Sequence, residues 1–514
     1  MTSSDPYHSK RLDVHKSSHH REINDLVELI WTGFSQEELD RVTTKGNHKP
    51  LADAKSQLKT LLLDMYVNWL SDPTLWTGIS RSNNSYVPTS IYNGLHISKV
   101  IINVVDILMA HGLLEHYSFR HDREYGGRYS RTSRYRPSKQ LQDQFSKLTL
   151  TLFDIDYHTN EASVILTDFE TDETGEIIKT AGGKKKRKLI EYDEDDHPDI
   201  KSMREDLNAY NELLERTHID ISSLDDPYVE RQKADGSAQK VSIDRSNQFV
   251  RRIFSRNSWN LNGRFYGGWW QQIGEDYRED IRIDGSPTIE VDFKGYHVAI
   301  LANEQGISKP VDYDWYNFDE VFIDGFDAKT QRKALKLLVL TAINAKDKDK
   351  AFQAFRNNSR HRLENTQLEL LLSKFIEKHP YLEEGICSDR GIDLMYKDSL
   401  VTSLIINEFV KKQEPILSVH DSYIVKRDSV LLLRDTMNKA TKAVLSTSLP
   451  VDQGHFSKSQ RQLILNAFRQ YDYGTYVDYL QDPSVYPLHT PKITARYTAS
   501  YQKFLHWRHQ RYGY

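Results

Sequence analysis

The 514-residue chain has one cysteine, Cys387. A single thiol excludes a disulfide framework, and no Cys/His run has zinc-ligand spacing. Long apolar runs are also missing: no stretch approaches the roughly 20 residues of a membrane span. The opening segment MTSSDPYHSKRLDVHKSSHH has no apolar leader core. A cytoplasmic protein with no membrane partner is therefore expected. Nor is there a large charge of one sign. The formal net charge of −4 gives no general affinity for nucleic acid, so any basic surface must come from local clustering. What is present is 38% hydrophobic against 28% charged residues. That composition supports a substantial core, and the length predicts roughly two to four domains at about 150 residues each.

Residues 20–115 read as helices, with apolar residues at three-to-four spacing in LADAKSQLKTLLLDMYVNWL and HISKVIINVVDILMAHGLLEHY. A helix ending at Gly112, a short strand, a Gly-Gly turn and a polar strand predict a winged-helix-like nucleic-acid-binding region over 1–150. Its Arg128, Arg131, Arg134 and Arg136 are interleaved with Tyr125, Tyr129 and Tyr135. Such a pattern suits phosphate contact with base stacking, although a solvated hairpin presents charge runs too. Residues 151–240 predict a connecting region: a hairpin from ASVILTDFE and KRKLIEYD, a helix over MREDLNAYNELLER, and a flexible connector, DDPYVERQKADGSAQK. Trp269 and Trp270 are expected in the core. Residues 461–514 form a C-terminal extension rich in arginine and aromatics.

The chemistry is concentrated in 241–460. In SPTIEVDFKGYHVAILANEQG a strand runs into Asp292, followed by a glycine and a helix-period stretch. In ILSVHDSYIV two apolar strands flank Asp421 with almost no loop. Carboxylates at buried strand ends cost several kcal/mol unless paired or bound to a cation. Taken singly, a turn aspartate is more often a local cap than a ligand. Brought together, they suit two Mg²⁺ ions, with Mn²⁺ as substitute, because magnesium takes hard oxygen ligands and leaves positions for phosphates. Between them, AKTQRKALKLLVLTAINA has helical period and sets Arg332, Lys336 and Asn344 near one face, as a triphosphate grip or as an ordinary solvated stripe. LMYKDSLVTSLIINEFVKK reads as a helix whose Asp398 and Ser399 face either the active site or solvent.

The order of Asp292, Arg332-Lys336-Asn344 and His420-Asp421 resembles motifs A, B and C of the superfamily joining family A DNA polymerases to the single-subunit RNA polymerases of phages and mitochondria. VHDSY follows the RNA polymerase form of motif C, and NGRFYGGWW resembles the Arg-Gly-Arg-x-Tyr segment through Arg264 and Tyr266. The similarity covers roughly residues 245–430. It implies Asp292 and Asp421 as metal ligands, with the Phe293 carbonyl as an auxiliary ligand. Arg332 and Lys336 would hold the triphosphate, Lys336 would protonate pyrophosphate, and His420 would steady the primer end. Tyr296, His297 and Asn344 would line the nucleotide site, and Arg264 and Tyr266 would contact nucleic acid. Two positions depart from the pattern: His297 stands where the family has Glu or Gly, and Asn344-Ala345 replaces Tyr-Gly.

The expectation is thus an α+β right-hand polymerase: a palm with an antiparallel sheet, and helical fingers inserted at about 320–400. Nucleoside triphosphates, a DNA template and an RNA or DNA product strand would be its partners. The expected function is a nucleotidyltransferase making RNA or primers, in a phage or mobile-element setting. The alternatives are a DNA polymerase and a non-catalytic DNA-binding replication or regulatory protein.

Overall fold

The computed structural model describes residues 6, 8–43, 52–118, 132–157, 161–180, 183, 185–195, 197–232, 238–310, 313–453 and 492–513. Helices and sheets alternate in an α+β arrangement, and the chain divides into two compact units. The first comprises Met1–Arg252, Tyr266–Gly285 and Pro491–Tyr514; the second comprises Ile253–Phe265 and Ser286–Thr490. Among the described residues no helix is long and apolar enough to cross a membrane.

In the first unit, strand β1 (Ser9–Arg11) precedes helices α1 (Arg21–Thr32) and α2 (Ala54–Ser71). Strand β2 (Trp76–Ile79), helix α3 (Val100–Ala110) and strands β3 (Leu114–Tyr117) and β4 (Ser133–Pro137) follow. Ile23, Leu26, Val27 and Ile30 form the buried stripe of α1 and meet Leu58, Leu61 and Met65 of α2 and Ile101, Val104 and Leu108 of α3 in one core. The sheet order is β1-β2-β4-β3, parallel only between β1 and β2. Arg134 and Arg136 lie on β4, whereas Arg128 and Arg131 fall outside the described residues.

The helix expected over MREDLNAYNELLER is α4 (Pro198–Glu215), followed by β5 (Ile219–Ile221). The stretch expected as a flexible connector differs: β6 (Tyr228–Gln232) and β7 (Ala238–Ser242) pair antiparallel. Val229 and Val241 are register partners and both are buried, so one apolar pair anchors an otherwise polar hairpin. Strand β8 (Ile281–Ile283) pairs antiparallel with β5, and helix Ala495–Tyr512 contributes Phe504 and Trp507 to the buried core. Trp269 and Trp270 are fully buried, as expected.

The second unit is built on β9 (Ser286–Phe293), which enters helix α5 (Tyr296–Glu304) through Lys294 and Gly295. Helices α6 (Ala328–Ile343), α7 (Lys348–Asn358), α8 (Asn365–Lys378) and α9 (Gly391–Lys411) come next in sequence. Strands β10 (Ile416–Val419) and β11 (Ser422–Lys426), helix α10 (Val430–Leu445) and strand β12 (Val451–Gln453) complete the unit. β11 pairs with β10 on one side and β9 on the other, and β12 joins the far side of β9, all antiparallel. Ile416, Leu417, Ile424 and Val425 are fully buried. A two-sided cover of this kind explains the continuous apolar runs of the two strands.

In the first unit His218 is buried among Tyr497, Tyr501 and Phe504, with Nε2 3.2 Å from Ser500 Oγ. Burial, reinforced by the charges of Arg496 and Arg508, lowers its pKa to about 3. Above about pH 6.5 the ring is neutral in both folded and unfolded chains. As pH falls from there toward 3, the unfolded chain takes up a proton that the folded chain refuses. Stability should therefore drop by about 1.4 kcal/mol per pH unit on this account. Urea titrations at stepped pH test it: the stability difference between wild type and His218→Phe should change with that slope below pH 6.5, and a flat difference would contradict it.

Candidate active site

Asp292 is the penultimate residue of β9 and the register partner of Ser422, the first residue of β11. Asp421 directly precedes Ser422, and the Phe293 N–H donates to the Asp421 carbonyl at 3.3 Å. The two aspartates expected to share a cation therefore stand at adjoining positions of neighbouring strands, which lie about 4.8 Å apart in any sheet. Both are half-buried. On its other side Asp292 is in register with Asp452 of β12.

The geometry around Asp421 is unusual for non-glycine residues. The β10–β11 hairpin turns on His420 and Asp421 alone, and His420 takes φ 58°. Left-handed backbone at a non-glycine residue stores about 1–3 kcal/mol, which the surrounding pairing must hold. The tight turn keeps Asp421 at the strand end rather than on a mobile loop. Ser422 Oγ donates to Glu290 Oε1 at 2.5 Å, so the third residue of the His-Asp-Ser signature ties the hairpin to β9. Gly295, at φ 55°, starts α5 where a Cβ would come within 2.6 Å of the Trp315 ring. The strand-to-helix turn after Asp292 thus requires glycine.

Three buried tyrosines lie in the field of Asp421. For Tyr296 burial raises the phenol pKa well above its ordinary value; Tyr423, Asp398 and Asp421 add to the rise and Arg264 opposes it. Tyr316 is raised by burial and by Asp314 and Asp421, with Arg332 opposing. Tyr423 is raised by burial and by Asp398 and Asp421, against its 2.8 Å hydrogen bond with Thr402 and the charge of Arg264. Tyr316 thus experiences both Asp421 and Arg332, which sets the cationic helix and the strand-end carboxylate in one electrostatic neighbourhood. The hydroxyls of Tyr296 and Tyr316 are buried with no hydrogen-bond partner among the described residues. Tyr296 also stacks on Phe293 at 4.5 Å. These neutral phenols give the acidic centre a wall of low polarity, in which charge interactions are stronger than in water.

Helix α6 is capped by Asp327, which accepts from Thr330 N–H at 2.7 Å. It buries Leu335, Leu338, Val339 and Ala342 and leaves Lys336 exposed. Arg332 pairs with Asp314, both more than a third or close to a third exposed, a pair that contributes little and is readily exchanged for another anion. Asn344 ends the helix, its Nδ2 donating to the Leu340 carbonyl at 2.7 Å. A Cβ on Gly391 would collide with the Asn344 amide, so Asn344 is an exposed helix cap that lies against the first residue of α9.

Arg264, His297 and Asp398 form a buried cluster in the same unit. Arg264 Nε donates to Asp398 Oδ2 at 2.6 Å and its Nη2 donates to His297 Nε2 at 3.0 Å. His297 lies 3.5 Å from Asp398, which is 1% exposed. Asp398 and Ser399 therefore face inward on α9. Gly263, at φ 73°, permits the approach, since a Cβ there would meet Ser399 Oγ at 2.8 Å and the Phe254 ring at 2.9 Å. Tyr266, half-buried, ends the strand Ser258–Tyr266. The contributions of Tyr316, Asp314 and Glu290 were not apparent in the sequence; each lacks a motif and gains its position from chain segments remote in sequence.

Elsewhere, Arg136 pairs with Glu115 at 2.6 Å and lies 4.4 Å over Trp76, and Arg134 donates to the Thr132 carbonyl at 2.5 Å. Both guanidinium groups are engaged within the first unit. Among the described residues no group of three or more His, Cys, Asp or Glu is arranged to hold a metal ion. Asp292 and Asp421, half-buried at adjoining strand ends, nevertheless offer the hard oxygen atoms that Mg²⁺ prefers, and Mg²⁺ often uses only one or two protein carboxylates. No protein-family model matches the chain, and no curated protein matches it.

Removing one member of the buried pair strands a charge. Asp398→Ala should destabilise the protein by about 3–5 kcal/mol, measured by urea denaturation, because Arg264 remains buried without its carboxylate. Loss of under 1 kcal/mol would mean that the cluster is not closed as described.

Proposed function

We propose that the protein is a template-directed nucleotidyltransferase of the right-hand polymerase type, making RNA or primers from nucleoside triphosphates on DNA. The observation that carries this reading is the adjoining register of Asp292 and the Asp421 turn, with Arg332 in the same electrostatic neighbourhood. Asp292, Asp421 and the Phe293 carbonyl would hold Mg²⁺, which when bound supplies neutralising positive charge for an in-line displacement at phosphorus. Arg332 exchanges Asp314 for the triphosphate, and exposed Lys336 joins it one helical turn further along α6. A 3′-hydroxyl gives up its proton to water, its oxygen forms the new bond to the α-phosphorus, and the bond to the bridging oxygen breaks with its electron pair leaving on pyrophosphate. Lys336 supplies the proton that pyrophosphate takes as it leaves.

Tyr296 and Phe293, stacked beneath this centre, exclude water from its floor. His420 at the turn steadies the primer end, and Tyr266 contributes to the nucleic-acid path. Arg264 fixes His297 and Asp398 through Nε and Nη2 at the edge of the nucleic-acid path. His297 therefore governs the sugar site as part of a rigid cluster. Motif C and the GRFY segment favour ribonucleotides. Helix α3 and the antiparallel β3–β4 pair support a nucleic-acid-binding role for the N-terminal region.

Synthesis from labelled rNTPs or dNTPs with Mg²⁺, with and without DNA template, tests the proposal. Asp292→Asn and Asp421→Asn should each reduce incorporation by on the order of 10²–10³-fold or more with folding intact. Lys336→Ala should lower the rate by roughly 10²–10⁴-fold. Retention of full synthesis by both aspartate variants would remove the assignment. His297→Gly should change the ratio of rNTP to dNTP incorporation, and an unchanged ratio would remove that residue from sugar selection.

A further inference from the structure

The first unit contains a polar cavity of about 270 Å³ that takes no part in the proposed chemistry. It is lined by His8, Lys10 and Arg11 at β1, Asp72 beyond α2, and Tyr228 and Lys240 of the β6–β7 hairpin. Four of these side chains are basic or can become so, against one carboxylate. That carboxylate is already saturated. Asp72 accepts from His8 Nε2 at 2.9 Å, Lys240 Nζ at 2.8 Å, and Thr74 N–H and Oγ1 at 2.8 and 2.6 Å. Burial pushes its pKa up, but the hydrogen bonds from Lys240, Thr74 and His8 outweigh this and hold it well below the usual carboxylate range.

Two cations remain without a carboxylate partner among the described residues. Lys10 Nζ donates only to Asn247 Oδ1, at 3.3 Å, and Arg11 is exposed at the rim. Burial lowers the proton affinity of Lys10, as does the neighbouring Lys16 charge, while Asp244, Asp64 and Asp13 oppose both. Lys16 itself is committed to Asp13 and Asp64, at 2.8 and 2.7 Å, so it cannot swing out to serve a ligand. Lys240 is held 4.1 Å over the Tyr228 ring and is fixed in direction toward the cavity wall. A preorganised set of ammonium and guanidinium donors around a small space is what a phosphate needs, because charge-assisted hydrogen bonds to a fixed oxyanion are the strong ones. The volume lies just under the range of about 300–1,000 Å³ for drug-sized ligands, which suits a phosphate with a small attached group.

We propose that this cavity is a binding site for a phosphate monoester, held by Lys10, Arg11 and Lys240. The monoester has two sources: a free mononucleotide, or the 5′-phosphate at the end of a nucleic-acid strand. The site is independent of nucleotide polymerisation and can be tested without it.

Isothermal titration of the full chain with inorganic phosphate, AMP, and matched 5′-phosphorylated and 5′-hydroxyl oligonucleotides provides the test. Saturable binding of at least one phosphate monoester is expected. Arg11→Gln and Lys10→Met should each weaken it by about tenfold or more, the loss of one charge-assisted hydrogen bond. Arg11 is exposed, so its variant should keep the wild-type melting temperature and remain interpretable if Lys10→Met is unstable. AMP binding identifies a mononucleotide site. A preference of tenfold or more for the 5′-phosphorylated strand over its 5′-hydroxyl counterpart, with weak AMP binding, identifies a strand-end site. No saturable binding by any monoester, or affinity unchanged in Arg11→Gln, would overturn the proposal.

Discussion

The antiparallel register between β9 and β11 is the constraint on which the second unit depends. Because side chains alternate with a period of two, a slip of one residue would turn Asp292 to the other face and bring Val291 or Phe293 opposite Ser422. Buried Val291, Tyr423, Ile424 and Val425 penalise that slip strongly, since it would expose apolar side chains and bury acidic ones. The same pairing supports the turn in which His420 takes left-handed backbone. Core packing and the acidic centre are thus one energetic problem: the apolar residues of the strands set the register, and the register sets the backbone of Asp292 beside the Asp421 turn.

Charge in this unit is organised in two tiers. The Arg264–Asp398–His297 cluster is largely buried and tied together by hydrogen bonds on one Asp398 oxygen, so it acts as scaffold. Arg332 and Asp314 are partly exposed, and Lys336 is exposed, so that side of the centre can accept a new anion at little cost. Between the tiers stand Tyr296, Tyr316 and Tyr423, which remain neutral and exclude solvent. This division between a closed, internally paired cluster and an open cationic side is the physical basis of the proposed phosphoryl-transfer reading.

Several elements were legible from residue patterns. Helix α6 shows its period in Ala334, Leu335, Leu338 and Ala342, and the tight hairpin at Asp421 follows from two apolar runs with almost no loop between them. The β6–β7 hairpin reads as a connector because its residues are mostly polar; its buried apolar pair, Val229 facing Val241, is a match that spans the turn. Asp398 could not be assigned to the interior from helical period alone, since nothing local distinguishes a buried charged position from an exposed one. Its partner Arg264 lies 134 residues away.

Taken by itself, the amino-acid sequence determined the helical period and amphipathic face of α6 and the two strand-end aspartates, because these depend on periods of a few residues and on local turn chemistry. Tertiary structure alone decided that Asp292 and Asp421 adjoin, that Arg264 is occupied by Asp398 and His297, and that Lys10 and Arg11 meet Lys240 around a cavity. Each of those outcomes joins segments remote in the chain, and such contacts arise from collective packing and strand register, which no local pattern encodes.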